Sequence, residues 1–238
     1  MIENFRRCTR YLFSASTNIM KYMSLGGIAF TFLMIPFVQP MYVRDNVLAM
    51  FMSAAVLIAP PACLCFAVES SLLNKMTACF SHTEFYHKRY IPFINAALLL
   101  TAALLNMLFS AVCFKLIPDY DMTALITSFN NTVLFSVVSA VMNIATALTS
   151  VTQNPVFAIV SGLVVGTGPV FAYPVSEWFV SSVSLSVGAA VICELAVVML
   201  LYLALSGLYT YCFNNDMITR SLKNMPKNAN DAMTAEHY

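Results

Sequence analysis

Long apolar runs separated by short polar connections set the pattern of this chain. A helix needs about 20 apolar residues to cross the hydrocarbon core of a bilayer. Six segments meet that length, at approximately 22–42, 47–68, 92–117, 125–151, 155–171 and 183–212. The fifth is the shortest, and the sixth is long enough to tilt. None shows the alternating period of a strand, and lipid leaves no other way than a helix to satisfy an open backbone. The pattern predicts an all-α membrane protein with six transmembrane helices in a domain spanning 22–212.

Composition agrees. Hydrophobic residues make up 60% of the 238 and charged residues only 10%, against about 25% charged in a typical soluble domain. The charges are unevenly placed. Arg6, Arg7, Arg10 and Lys21 precede the first span, Lys75, Lys88 and Arg89 fall between the second and third, and Arg220, Lys223 and Lys227 follow the sixth. One side therefore holds ten of the 12 Lys and Arg residues, and the other holds Arg44 and Lys115. By the positive-inside rule both termini lie in the cytoplasm, an N-in/C-in topology. Asp119, Asp121 and Glu177 fall outside. No basic run is interleaved with aromatics, which argues against nucleic-acid binding.

The segments between spans carry their own patterns. Residues 1–21 predict an amphipathic interfacial helix, with Ile2, Phe5, Leu12 and Ile19 at helical spacing and arginines elsewhere around the wheel; the plainer alternative is a solvated basic leader. The 69–91 loop carries an apolar stripe of Leu72, Leu73, Met76, Cys79 and Phe80, followed by Ser81-His82-Thr83-Glu84 as a capping box. Its apolar face either packs under its own bundle or docks on a cytoplasmic partner. Residues 169–182 are aromatic and broken by proline, which suits two external half-helices or a re-entrant dip. The cytoplasmic tail, 213–238, predicts a short helix that frays.

Catalytic chemistry is missing. The seven cysteines are scattered, Cys63 and Cys65 form only a C-x-C, and neither a disulfide framework nor a metal site follows. All three histidines fall outside the predicted spans, and no Gly-rich phosphate loop is present. No catalytic residue, metal or bound cofactor is expected. Glu194 is the one carboxylate deep in a span and an intramembrane candidate, either functional or a polar contact between helices. Asn95, Asn106, Asn130, Asn131 and Asn143 either line a path or bond across helices. Gly162 and Gly166 form a G-x-x-x-G that allows close helix packing.

Basic leader, six spans and helical second loop together resemble a permease subunit of an ABC-2 type ABC exporter. One branch of that family reads Pro-x-Ser-Arg-x-Glu-Tyr-x-x-x-Lys-Tyr before the third span. Here Ser81, Glu84 and Tyr90 match, Phe85 and Arg89 stand for Tyr and Lys, and the sequence departs at His82 and Cys79. The resemblance implies that 69–91 contains a coupling helix docking on a separate cytoplasmic ATPase, with Leu73, Met76, Cys79, Phe80, His82 and Glu84 in contact. It further implies ATP bound by that partner, a second permease copy or paralogue, a bacterial plasma membrane, and export of amphipathic peptides, as in phenol-soluble modulin exporters. Two alternatives are an ion-coupled secondary transporter using Glu194 and a substrate-capture subunit of a vitamin-uptake system.

Overall fold

The computed structural model describes residues 2–15, 18–44, 46–72, 83–152 and 174–215, with Ile159 alone between the last two stretches. Among them are helices and connections but no strand. The helices are α1 (Ile2–Ala15), α2 (Asn18–Val38), α3 (Met41–Arg44), α4 (Asn46–Leu72), α5 (Thr83–Leu116), α6 (Met122–Thr152), α7 (174–182) and α8 (Val187–Asn214). Five of them, α2, α4, α5, α6 and α8, are long and apolar enough to cross a membrane, so the chain is a multi-pass membrane protein. The predicted fifth span, with Gly162 and Gly166, lies outside the described residues apart from Ile159.

Several boundaries differ from those predicted. The amphipathic helix ends at Ala15 instead of reaching residue 21, and Ile19 sits exposed on α2. α2 ends at Val38 because Pro40 offers no backbone donor, and the chain restarts as α3. The sixth predicted span begins at Val187 rather than 183, where the Ser186 side chain accepts the Ala189 N–H. Residues 174–182 form one short helix; 169–173 and the loop 73–82 lie outside the described residues.

α5 starts nine residues before its predicted position, because the segment before Pro92 is continuous with the span. Pro92 cannot donate to the Lys88 carbonyl. The helix passes it as a π-turn at Tyr86–Tyr90, in which the Ile91 N–H bonds the Tyr86 carbonyl. The Ser206 hydroxyl then donates to the Lys88 carbonyl at 3.1 Å and replaces the lost partner. α5 is thereby one rod of about 50 Å.

α6 lies at the centre of the bundle, packed on α4, α5 and α8, and α2 packs along α4. Gly27 brings α2 and α4 together: a Cβ there would meet the Cys63 Sγ at 2.5 Å. α8 buries Ala190, Glu194, Val198, Leu201, Leu205, Tyr209 and Cys212, one seam at steps of three and four residues. Its opposite face exposes Ile192, Met199, Leu200 and Leu203, an apolar surface suited to lipid.

Candidate functional site

The interior of the bundle is polar along one line. On α6, Ser128, Thr132, Ser136, Ser139, Asn143 and Thr146 recur every three or four residues, so one helical face carries a small polar group at each turn. The stripe runs from the end bearing α3 and α7, the far end, toward the end bearing α1, where most described basic residues lie.

At the far end the polar groups are satisfied. Gln39, fully buried between the α2 and α3 helices, donates to Asn106 Oδ1 at 2.6 Å and accepts from Ser128 at 2.8 Å and Tyr120 at 3.2 Å. Asn106 passes its own N–H to Thr132, and Tyr120 shares a hydrogen bond with Ser110 at 2.7 Å. A second strand of the network joins Ser53, Tyr42, Asn131 and Ser176. Asn130 clamps the connection into α8, accepting from the Leu185 N–H at 2.8 Å and donating to its carbonyl at 3.0 Å. These bonds tie α2 through α7 together around a buried polar plug.

Half way down, the partners run out. Glu194 is 1% exposed, and neither carboxylate oxygen has a hydrogen bond among the described residues. The polar group it faces is the Ser136 hydroxyl, without a closed bond between them. The Ser139 hydroxyl and Asn95 Oδ1 are likewise buried and unpartnered. Asn95, with Asn143, Thr146 and Tyr209, lines a separate cavity of about 10 Å³, roughly the space one water centre needs. An ionised carboxylate in this position costs a few kcal/mol or more unless a donor or cation meets it.

At the basic end aromatic packing takes over. α1 turns Phe5, Cys8 and Leu12 inward. The Phe5 ring lies 5.3 Å from Phe85, 5.7 Å from Tyr90 and 5.0 Å from Phe93. Tyr11 meets Tyr86 edge to face, and Tyr90 donates to Thr9 at 3.0 Å. Burial pushes the Cys8 thiol up to about 11. Lys88 bonds Glu84 and Asn214, each at 3.0 Å, and lies over the Phe213 ring, pinning the end of α8 to the start of α5.

Of the residues singled out from sequence, Leu73, Met76, Cys79, Phe80 and His82 lie outside the described residues. Glu84 is exposed and paired with Lys88 one turn on, a contact worth at most about 1 kcal/mol. Asn106, Asn130 and Asn131 bond across to other elements, while Asn95 and Asn143 donate to carbonyls of their own helices. Sequence reasoning passed over Gln39, Tyr120 and the serine stripe, although the spacing of the serines was visible. It also placed His87 in a loop. His87 is fully buried and stacked near Tyr209, and neither ring nitrogen has a hydrogen-bond partner among the described residues. Among the described residues no group of His, Cys, Asp and Glu could hold a metal ion.

Comparison of the chain with protein families, curated proteins and solved structures returns no match.

Proposed function

We propose that this chain is the transmembrane permease subunit of an ATP-driven exporter in a bacterial plasma membrane, energised by a separate cytoplasmic ATPase and paired with a second permease. The observation that carries the proposal is the mechanical continuity of α5. Its first turn follows directly on the 73–82 loop and is gripped by α1 through Phe5, while Asn106 and Ser110, further along the same rod, enter the far-end network. A partner that pulls on the segment before it would therefore load the far end of the path through one continuous helix, whose π-turn at Tyr86–Tyr90 is braced by the Ser206 bond to the Lys88 carbonyl. The sequence has no phosphate-binding loop of its own, so ATP would be bound and hydrolysed by the partner, and this chain would carry no enzymatic activity. The orientation with both termini cytoplasmic follows from the distribution of basic residues. Amphipathic peptides as cargo rest on resemblance alone.

A second reading is favoured by one specific observation. The unpartnered Glu194 carboxylate beside the α6 stripe is what an ion- or proton-coupled carrier would need. The two are separated by isolating the chain from native membranes and measuring co-purification of an ATPase together with transport. The exporter predicts a co-purifying ATPase that is lost on Phe80→Ala, with Glu194→Gln still transporting. An absent ATPase, with transport abolished by Glu194→Gln and untouched by Phe80→Ala, would establish the carrier instead.

A further inference from the structure

A cavity of about 780 Å³ opens beside α1 at the basic end, within the size range of ligand sites. Its walls are Phe5, Phe85, Phe93 and Tyr202, and Lys88 and Arg89 stand at its polar side. Phe93 is 50% exposed, and Met199, Leu200 and Leu203 on α8 are exposed beyond it. The apolar part of the cavity thus continues into surface that faces acyl chains. The polar part ends on two cations in unequal states. Lys88 is shared with Glu84 and Asn214, whereas Arg89 is exposed and makes no ion pair among the described residues.

We propose that this cavity is a binding site for an anionic phospholipid of the bilayer, with its phosphate on Arg89 and Lys88 and its acyl chain against Phe93 and Tyr202. Charge complementarity selects this occupant. A zwitterionic lipid would bring its own cation toward the two already there, and a soluble anion would leave the aromatic walls wet. The guanidinium offers a planar fork to phosphate oxygens, which the ammonium of Lys88, already engaged, supplements as a point charge. Basic pockets between helices at a membrane surface recognise lipid headgroups by this chemistry. The site stands apart from the energy source proposed above, since it requires neither an ATPase nor Glu194.

The single tryptophan, Trp178, lies in α7 at the opposite end, so a reporter can be moved into the cavity by Phe93→Trp in a Trp178→Phe chain. The full chain is placed in nanodiscs containing bromine-labelled phosphatidylglycerol or phosphatidylcholine at matched mole fraction. Phosphatidylglycerol is expected to quench with a relative binding constant on the order of tenfold higher, and Arg89→Gln to reduce it about fivefold. Replacing Arg6 and Arg10, exposed on α1 outside the cavity lining, is expected to leave it within twofold. Equal quenching by the two lipids overturns the proposal. So does an equal loss from the Arg6 and Arg10 changes, which would mean surface attraction, or a preference seen only after removal of 216–238, which would make the tail the occupant. If the reporter chain does not fold, native mass spectrometry of the unaltered chain and Arg89→Gln decides: retained phosphatidylglycerol must fall with Arg89→Gln, and equal retention overturns the proposal.

Discussion

Replacing Phe5 by Ala tests what holds α1 on the bundle. Phe5 meets Phe85, Tyr90 and Phe93 at 5.3, 5.7 and 5.0 Å between ring centroids. Truncating a fully buried Phe costs about 3–5 kcal/mol. Phe5 is only half-buried, so about half of that, ~2 kcal/mol, is lost from docking. Only α1 detaches, since the other helices of the bundle keep their contacts with one another. A change of ~2 kcal/mol in a local opening equilibrium multiplies the open population about thirtyfold. Cys8 reads that population. It is fully buried on the same helix, and burial lifts its thiol from 9.0 to about 11. At neutral pH that leaves about a hundredfold less of the reactive thiolate. Labelling of Cys8 by a membrane-impermeant maleimide, followed by peptide mapping, should therefore quicken about thirtyfold in Phe5→Ala and change little in Arg6→Ala, an exposed neighbour. Equal rates in the two variants would refute the docking energetics. A parallel rise at Cys212, buried in α8, would mean that the whole bundle had loosened.

Gly27→Ala should destabilise the bundle by about 1–3 kcal/mol, as overpacking does, because its Cβ would press on Cys63; Cys63→Ala should restore most of that loss in a denaturant titration of the detergent-solubilised chain. Gln39→Leu removes three side-chain hydrogen bonds and should cost about 2 kcal/mol by the same titration, at ~0.6 kcal/mol per bond in a membrane interior, with Cys8 labelling unchanged. Ser206→Ala should cost about 1 kcal/mol by leaving the Lys88 carbonyl without its donor, while Ser181→Ala, on the exposed side of α7, should cost nothing measurable.

What could be read from the chain followed from how local each feature is. Five of the six apolar runs are helices long enough to span a membrane, because backbone satisfaction in lipid depends on the run itself. Boundaries were less legible. The start of α5 was hidden by Pro92, which reads as a helix breaker until a π-turn and Ser206, more than a hundred residues away, make up for its missing donor. Gln39 looked like the polar end of a span; its role depends on Asn106, Tyr120 and Ser128 arriving from other helices, a fact that no local window contains. Glu194 was visible because one carboxylate in an apolar run stands out. The serines of α6 were overlooked because each is common in membrane helices, and only their shared face distinguishes them.

The two ends of the bundle are held by different forces, and this decides where it opens most readily. At the far end, separating α6 from α2 and α5 would break the Gln39, Asn106 and Tyr120 bonds together, and in an apolar surround the freed groups would find no water to replace them. The basic end is held mainly by ring contacts of α1 and by Lys88. Parting those rings exposes apolar area at a surface where lipid can cover it, and Lys88 can be rehydrated. Glu194, Ser136, Ser139 and the Asn95 Oδ1, which have no hydrogen-bond partner among the described residues, lie on the basic side of the plug, so an opening there would reach them first. The stripe is buried in this conformation, and among the described residues parting the basic end breaks fewer buried hydrogen bonds than parting the far end, where the Gln39 network must go first.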